Sequence, residues 1–309
     1  MHRDDRTAPD GPRTALSRRG FVTGATGLVA AGALLGAGAA PANAVTGVPT
    51  PTLPGELGRL ANQTTAVGKR PYDNIQVSIN GDRARIFVPQ LPAGTPRPAS
   101  VPVVWFYHAP NSTSDAMNSG FKWNAEYVID AGWVAICQDL GGGTWTNDYA
   151  QQTQAAGWAY MSKYFPVGPN FLRATSGGGA MATGVYARKA IPRIKGVYLV
   201  NAVYDLWKCY QLNGAPSIGP AFGYDEARIQ ARNPAIAPQS SWTGSNIRVV
   251  VSVEPNRDTL VPPEDHGLAL VALAGPVAKE TSVREHSLGH TQPDWVSSDS
   301  LAAFKRWNV

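Results

Sequence analysis

Three residue types that together can turn an alcohol into a nucleophile occur along this chain in the order serine, aspartate, histidine. The serine is Ser176, in the stretch PNFLRATSGGGAMATGVYARKA (residues 169–190), where a short apolar run stops and a run of glycines begins. A strand that bends sharply into a helix crowds its own backbone, so the residues two before and two after the apex must be small; here they are Ala174 and Gly178. The apex is thrust out of the sheet beside the helix N-terminus, where N–H groups and the macrodipole favour negative charge. A hydroxyl alone is a weak nucleophile; it needs a base, and the base needs an orienting partner. Asp258 lies just beyond an apolar strand-like run in VVVSVEPNRDTLVPPED, and His290 sits in a glycine-containing loop in VREHSLGHTQPDW. In a parallel sheet, strand ends share one edge, so these positions can converge there. His286 competes for the role of base, and Asp205 and Glu254 for that of the acid.

The same residues have plainer readings. Ser176 can be a helix N-cap, or its glycines can cradle a phosphate at a helix start. The chain has no Gly-Lys-Ser/Thr at that point, and SGGGAM lacks the spacing of a dinucleotide fingerprint. His286 and His290 are four apart, a zinc-binding spacing on a helix, but Gly289 intervenes and the segment leaves a strand, so no metal site is expected. No cofactor motif is read. Gly141, Gly142 and Gly143 read as an irregular loop at the mouth of the site, and Asp139 as packed in the loop after its strand.

The elements that must position these residues alternate. NIQVSIN and RARIFVPQL switch between apolar and polar side chains, as strands with one solvated face do. VPVVWFYHAP and GWVAICQDL are near-continuous apolar runs, as in parallel strands covered on both faces. AMNSGFKWNAEYVIDAG reads as a crossover helix between them, followed by helix NDYAQQTQAAGWAYMSKYF, strand NFLRATS and helix GGAMATGVYARKA. Strands IKGVYLVNAVYD and NIRVVVSVEP, helix HGLALVALAG, strand KETSVREH and helix SSDSLAAFKRWNV complete the series. Such alternation predicts an α/β domain with a mostly parallel central sheet and helices on both faces. Residues 206–243 interrupt the rhythm and are long for a connection, so a cap over the site is expected there.

These segments resemble the α/β-hydrolase family, esterases and lipases among them, over nearly all of the chain after Ala44. The resemblance rests on Ala174-Thr175-Ser176-Gly177-Gly178 as a nucleophile elbow, Asp258-Thr259-Leu260-Val261-Pro262 as an acid loop, and Gly289-His290 as a histidine loop. It implies Ser176 as nucleophile, His290 as general base and acid, and Asp258 as the residue that holds the imidazolium. The implied chemistry is transfer of an acyl group to water through an acyl-enzyme. Two features depart from the pattern. Ala174 stands where the family elbow has glycine. The loop after the apolar run reads His108-Ala109-Pro110-Asn111, and Pro110 has no N–H to offer a tetrahedral intermediate. The oxyanion donors are then Gly177 with Ala109 or Asn111, or with the Tyr107 or Asn111 side chain, of which Asn111 is favoured; the resemblance also implies that His108 orders this loop.

The N-terminus carries a different message. Residues 14–44 contain paired Arg18 and Arg19, an Ala/Gly/Leu-rich apolar run and Ala42-Asn43-Ala44, the three parts of a twin-arginine export signal with a cleavage site after Ala44. The expected partner is the twin-arginine export machinery, and the expected mature protein is secreted, with no stable membrane anchor. Residues 45–68 read as a proline- and glycine-rich lead-in. The whole chain has 27 basic and 22 acidic side chains, a net charge of +5, of which residues 1–44 carry +2 and the rest of the chain +3. What remains forms no basic stripe, so nucleic acid is not an expected partner.

Tyr210, Phe222 and Tyr224 in the expected cap, with Trp123 and Trp145 on other loops, are candidates for an apolar acyl pocket. Cys137 and Cys209 can pair in an exported protein, or can be two buried small hydrophobes. The expected function is hydrolysis of carboxylic esters, small or polymeric. A serine peptidase of the same fold and a non-catalytic binding protein remain alternatives.

Overall fold

The computed structural model describes residues 47–309, so the twin-arginine signal lies outside the described residues. Among the described residues eleven strands are formed: β1 (Gly47–Val48), β2 (Glu56–Thr64), β3 (Pro71–Ile79), β4 (Asp82–Pro89), β5 (Leu91–Pro92), β6 (Val101–Tyr107), β7 (Val134–Gln138), β8 (Val167–Thr175), β9 (Ile194–Val200), β10 (Asn246–Ser252) and β11 (Glu280–His286). The α-helices are α1 (Lys122–Asp130), α2 (Asp148–Tyr164), α3 (Gly178–Ala187), α4 (Leu206–Cys209), α5 (Ala215–Phe222), α6 (Glu226–Arg232), α7 (Gly267–Ala274) and α8 (Val296–Trp307). Nine strands make one sheet in the order β11-β10-β9-β8-β6-β7-β4-β3-β2. Pairing is parallel from β11 to β7 and antiparallel from β7 to β2. β1 and β5 form a separate two-stranded ribbon.

Period-two alternation sends side chains of one strand into two cores. Val103, Trp105 and Tyr107 of β6 join the side that holds Met161 of α2, Val185 of α3 and Leu270 of α7, whereas Val104 and Phe106 join the side with Ile129 of α1 and Phe304 of α8. Each such fully buried large side chain stabilises by about 1.5–3 kcal/mol. The strands thus read as continuous apolar runs because both faces are covered.

Two elements depart from the sequence reading, and one question it left open is answered. The lead-in contains β2, an edge strand whose side chains are mostly exposed on both faces, so no alternation marks it. The expected single crossover helix is a 3-10 turn (Ser114–Asn118), capped by Thr113, followed by a separate α1. Cys137 lies on β7 and Cys209 on α4, both are buried, and both are free thiols.

Residues 206–243 are an insert between β9 and β10. It runs α4, a π-helical turn (Tyr210–Gly214), α5, α6 and two short 3-10 turns. It has its own apolar centre, in which Leu206, Cys209, Ile218, Phe222 and Ile229 pack with Ala180, Val203 and Val261.

Candidate active site

β8 ends at Thr175 and α3 begins at Gly178, so Ser176 stands at the bend between them. Its φ is +50°, the left-handed region that a non-glycine residue enters at a cost. Three backbone bonds hold it there: the Ser176 N–H donates to Val200 O at 3.2 Å, and the Ser176 carbonyl accepts from Gly179 and Val203 N–H at 3.0 and 2.9 Å. The glycines that follow are needed for close approach. A methyl on Gly178 would lie 2.2 Å from Tyr107 O, and one on Gly179 would lie 2.6 Å from Ala202 Cβ.

Asp258 follows β10 and is almost wholly buried. One of its oxygens, Oδ1, accepts from the N–H groups of Leu260 and Val261 at 2.9 and 3.0 Å, a local turn that fixes the carboxylate plane. The other, Oδ2, is 2.7 Å from Nδ1 of His290, and Nε2 of the same ring is 2.9 Å from Oγ of Ser176. With Nδ1–H donating to the carboxylate, the Nε2 lone pair accepts the hydrogen bond of the Ser176 hydroxyl. The three distant segments therefore meet in one hydrogen-bonded line.

The histidine loop is held by groups that carry no motif. Gly289, at φ +65°, donates its N–H to Ser252 Oγ and to Asn256 O, each at 2.9 Å. The Asn201 amide donates to Gly289 O and Thr291 O at 3.2 and 3.0 Å. His286, the rival base, ends β11; its Nε2 donates to Asn201 Oδ1 at 3.2 Å, which turns the amide toward that loop. Asp205, a rival acid, caps α4 instead, accepting from the N–H groups of Trp207 and Lys208 and from the Asn233 amide. Asp139 packs in its loop, where it accepts from Ser114 N–H and pairs with Arg83.

Sequence gave no reason to single out His266. It is buried, and Nδ1 accepts from the N–H groups of Tyr204 and Asp205, both at 3.2 Å. Burial pulls its pKa down to about 4, so the ring is neutral at pH 7 and can accept.

On the other side of Ser176, His108 ties two strand ends together, with Nδ1 2.7 Å from Ala109 O and Nε2 3.1 Å from both Gln138 O and Asp139 O. The Ala109 carbonyl also accepts from Ser112 N–H at 3.2 Å. Asn111 has φ +64°, and its Oδ1 lies 3.0 Å from where a methyl on Gly143 would be. A methyl on Gly177 would lie 2.3 Å from Pro110 Cδ and 2.9 Å from Cη2 of Trp145, so this proline and this indole wall the residue after the serine. Tyr107 is buried in the core, and its hydroxyl has no partner among the described residues.

The aromatic candidates separate. Trp145 borders the site, and its Nε1 donates to Ser217 Oγ of α5 at 3.0 Å. Tyr210 stacks on Trp207 at 5.4 Å between ring centroids and leans on the centre of the insert. Phe222 lies at that centre, 1% exposed, because the short helices of the insert must bury their own apolar stripe; it is therefore a packing residue rather than a pocket wall. Trp123 and Tyr224 are exposed, at 56% and 63%. A separate cavity of about 270 Å³ lies where β6, β7 and β8 begin, lined by Val88, Val101, Val134 and Phe165, at the far end of the sheet from Ser176. Among the described residues no cluster of three metal-ligating side chains is found, and no helix is long and apolar enough to cross a membrane.

No family model and no curated protein sequence matches the chain. Solved structures do. An acetyl xylan esterase from Paenibacillus sp. R4 is 13% identical with a TM-score of 0.57, covering 80% of this chain and 88% of its own. An S-formylglutathione hydrolase from Agrobacterium tumefaciens is 15% identical, TM-score 0.61, with 82% and 98% covered. A fluorophosphonate-binding serine hydrolase from Staphylococcus aureus is 10% identical, TM-score 0.59, with 82% and 99% covered. Taken with the nine-stranded, mostly parallel sheet between helical layers, these likenesses establish that the chain has the α/β-hydrolase fold.

Proposed function

We propose that the protein is an exported serine hydrolase that cleaves carboxylic esters through an acyl-enzyme. One observation carries the reading: the unbroken line from Ser176 Oγ through both nitrogens of His290 to Asp258. His290 Nε2 takes the hydroxyl proton as Oγ attacks the ester carbonyl, and Asp258 holds the imidazolium that forms. The oxyanion is met by the Gly177 N–H and by a second donor on the 108–111 turn, Ala109 or Asn111. His290 then protonates the leaving alcohol, which departs and leaves the acyl group on Ser176. Water enters and loses a proton to the same ring as it attacks the acyl carbon; the ring then returns that proton to Ser176 Oγ as the acyl–Oγ bond breaks and the acid leaves. Trp145 walls the acyl side, with Tyr210 behind it and Trp123 and Tyr224 as candidates at the rim. Export by the twin-arginine route is read from Arg18, Arg19 and the Ala42-Asn43-Ala44 site, which leaves a mature protein beginning at Val45.

The test uses protein beginning at Val45, a fluorophosphonate probe and p-nitrophenyl esters. Wild type is labelled and turns over esters; Ser176→Ala and His290→Ala lose labelling and about 10⁴-fold or more in kcat. Folded wild type that neither labels nor turns over esters overturns the reading in favour of a binding protein. Labelling combined with cleavage of peptide amides but not of esters overturns it in favour of a peptidase.

A further inference from the structure

Arg173 is the one charged side chain of β8, and it is fully buried three residues before Ser176. Among the described residues no carboxylate pairs with it. Its Nε donates to Asn124 Oδ1 at 3.1 Å, its Nη1 to Ala174 O, and its Nη2 to Gln292 Oε1. Phe121 and Tyr198 lie against the guanidinium, each 5.5 Å from it. Burial pulls its pKa down to about 10, so it stays charged at neutral pH. An unpaired buried cation is expensive, and an apolar residue of similar volume would fill the same space between β8 and the helices at lower cost. Packing alone therefore gives no reason for an arginine here.

Its contacts supply one. Gln292 is two residues after His290, and Arg173 is three before Ser176. The strands that lead to serine and histidine, β8 and β11, are separated in the sheet by β9 and β10. The Arg173–Gln292 bond crosses that gap directly. Asn124 is held in turn, its amide donating to Ser297 Oγ at 2.9 Å, so the guanidinium is braced against α1 and α8 while it grips the histidine loop. Only a long side chain with several donors in a rigid fork reaches three elements at once.

Building on the proposed hydrolase function, we infer that Arg173 is a positioning residue for His290: through the Gln292 side chain it sets the distance between the imidazole and the serine hydroxyl. The pair is tested by Gln292→Leu, Arg173→Met and the double variant, with kcat and KM on p-nitrophenyl acetate, the rate of fluorophosphonate labelling, and Tm as the check on folding. A misplaced imidazole costs turnover rather than ground-state binding, so Gln292→Leu lowers kcat by about tenfold or more with KM nearly unchanged. Gln292→Glu, which keeps an acceptor for Arg173, returns most of the lost kcat. The double variant is no slower than the slower single one, because both remove one contact. Gln292→Leu with the kcat and labelling rate of wild type overturns the inference; so does a loss that merely follows the unfolded fraction. Either result leaves the hydrolase reading intact so long as wild type labels at Ser176, whereas a wild type that does not label overturns that reading first.

Discussion

A left-handed serine is costly, and the chain keeps Ser176 at φ +50° with bonds from β9 and the turn after it. Such an apex stores about 1–3 kcal/mol that the surrounding packing must offset. His266 is a second residue held against its solution preference. Its pKa falls from 6.5 to about 4 because the ring is buried where it must accept two backbone N–H groups. The unfolded chain therefore binds a proton that the folded one refuses between these values. Its share of stability is complete above about pH 6.5 and is lost as pH falls toward 4, about 3 kcal/mol in all. Thermal unfolding from pH 7 to pH 4 will show wild type losing Tm faster than His266→Gln; parallel curves would show that the buried ring is not the cause. At this scale the sequence reveals the serine, aspartate and histidine, because an elbow and two strand-end loops have spacing. Arg173, Asn201, Ser252 and His266 have none. Each acts on a partner far along the chain, and nothing within a local window distinguishes such a residue from an ordinary polar one.

Among elements, the 144–148 segment and the insert behave as one wall. Trp145 reaches Ser217, the Asn147 amide donates to Ala221 O at 2.9 Å, Thr146 Oγ1 donates to Arg232 O at 3.1 Å, and Arg232 pairs with Asp148. The indole is thereby fixed against Gly177. If the acyl chain runs past it, Trp145→Ala opens room on that side. The kcat/KM ratio of p-nitrophenyl hexanoate over acetate then rises about tenfold, a value in keeping with a few methylenes in an apolar pocket. An unchanged ratio would place the chain elsewhere. The strands and long helices of the central sheet were legible from period and apolar content. β2 was not, since an edge strand exposed on both faces has no alternation and its pairing is broken twice by register shifts. The π turn and short helices of the insert were illegible too, since their cohesion comes from Phe222, Ile218 and Ile229 meeting across the segment rather than from any repeat.

For the whole molecule, stability comes from two apolar layers on either side of one sheet, with a third under the insert. No covalent link supplements them among the described residues: Cys137 and Cys209 sit in different layers as free thiols. Burial pushes the Cys209 thiol up to about 12 and raises that of Cys137 further, so neither is a ready thiolate. Excess reductant should leave Tm unchanged, and a drop on reduction would reveal a bridge. The sequence left pairing open because two cysteines far apart in the chain carry no information about distance.

The glycine run after the serine has a consequence for how the protein can vary. Hydrogens on Gly177, Gly178 and Gly179 face, in turn, a proline ring and an indole, two carbonyl oxygens, and a neighbouring turn. No amino-acid replacement there is silent in shape. Saturation of the three positions would leave a blank block ahead of α3, while Gly58 and Gly120, with open space around them, would accept many replacements. That footprint belongs to the backbone, so it would persist in descendants that had exchanged one ester for another, or had lost chemistry altogether.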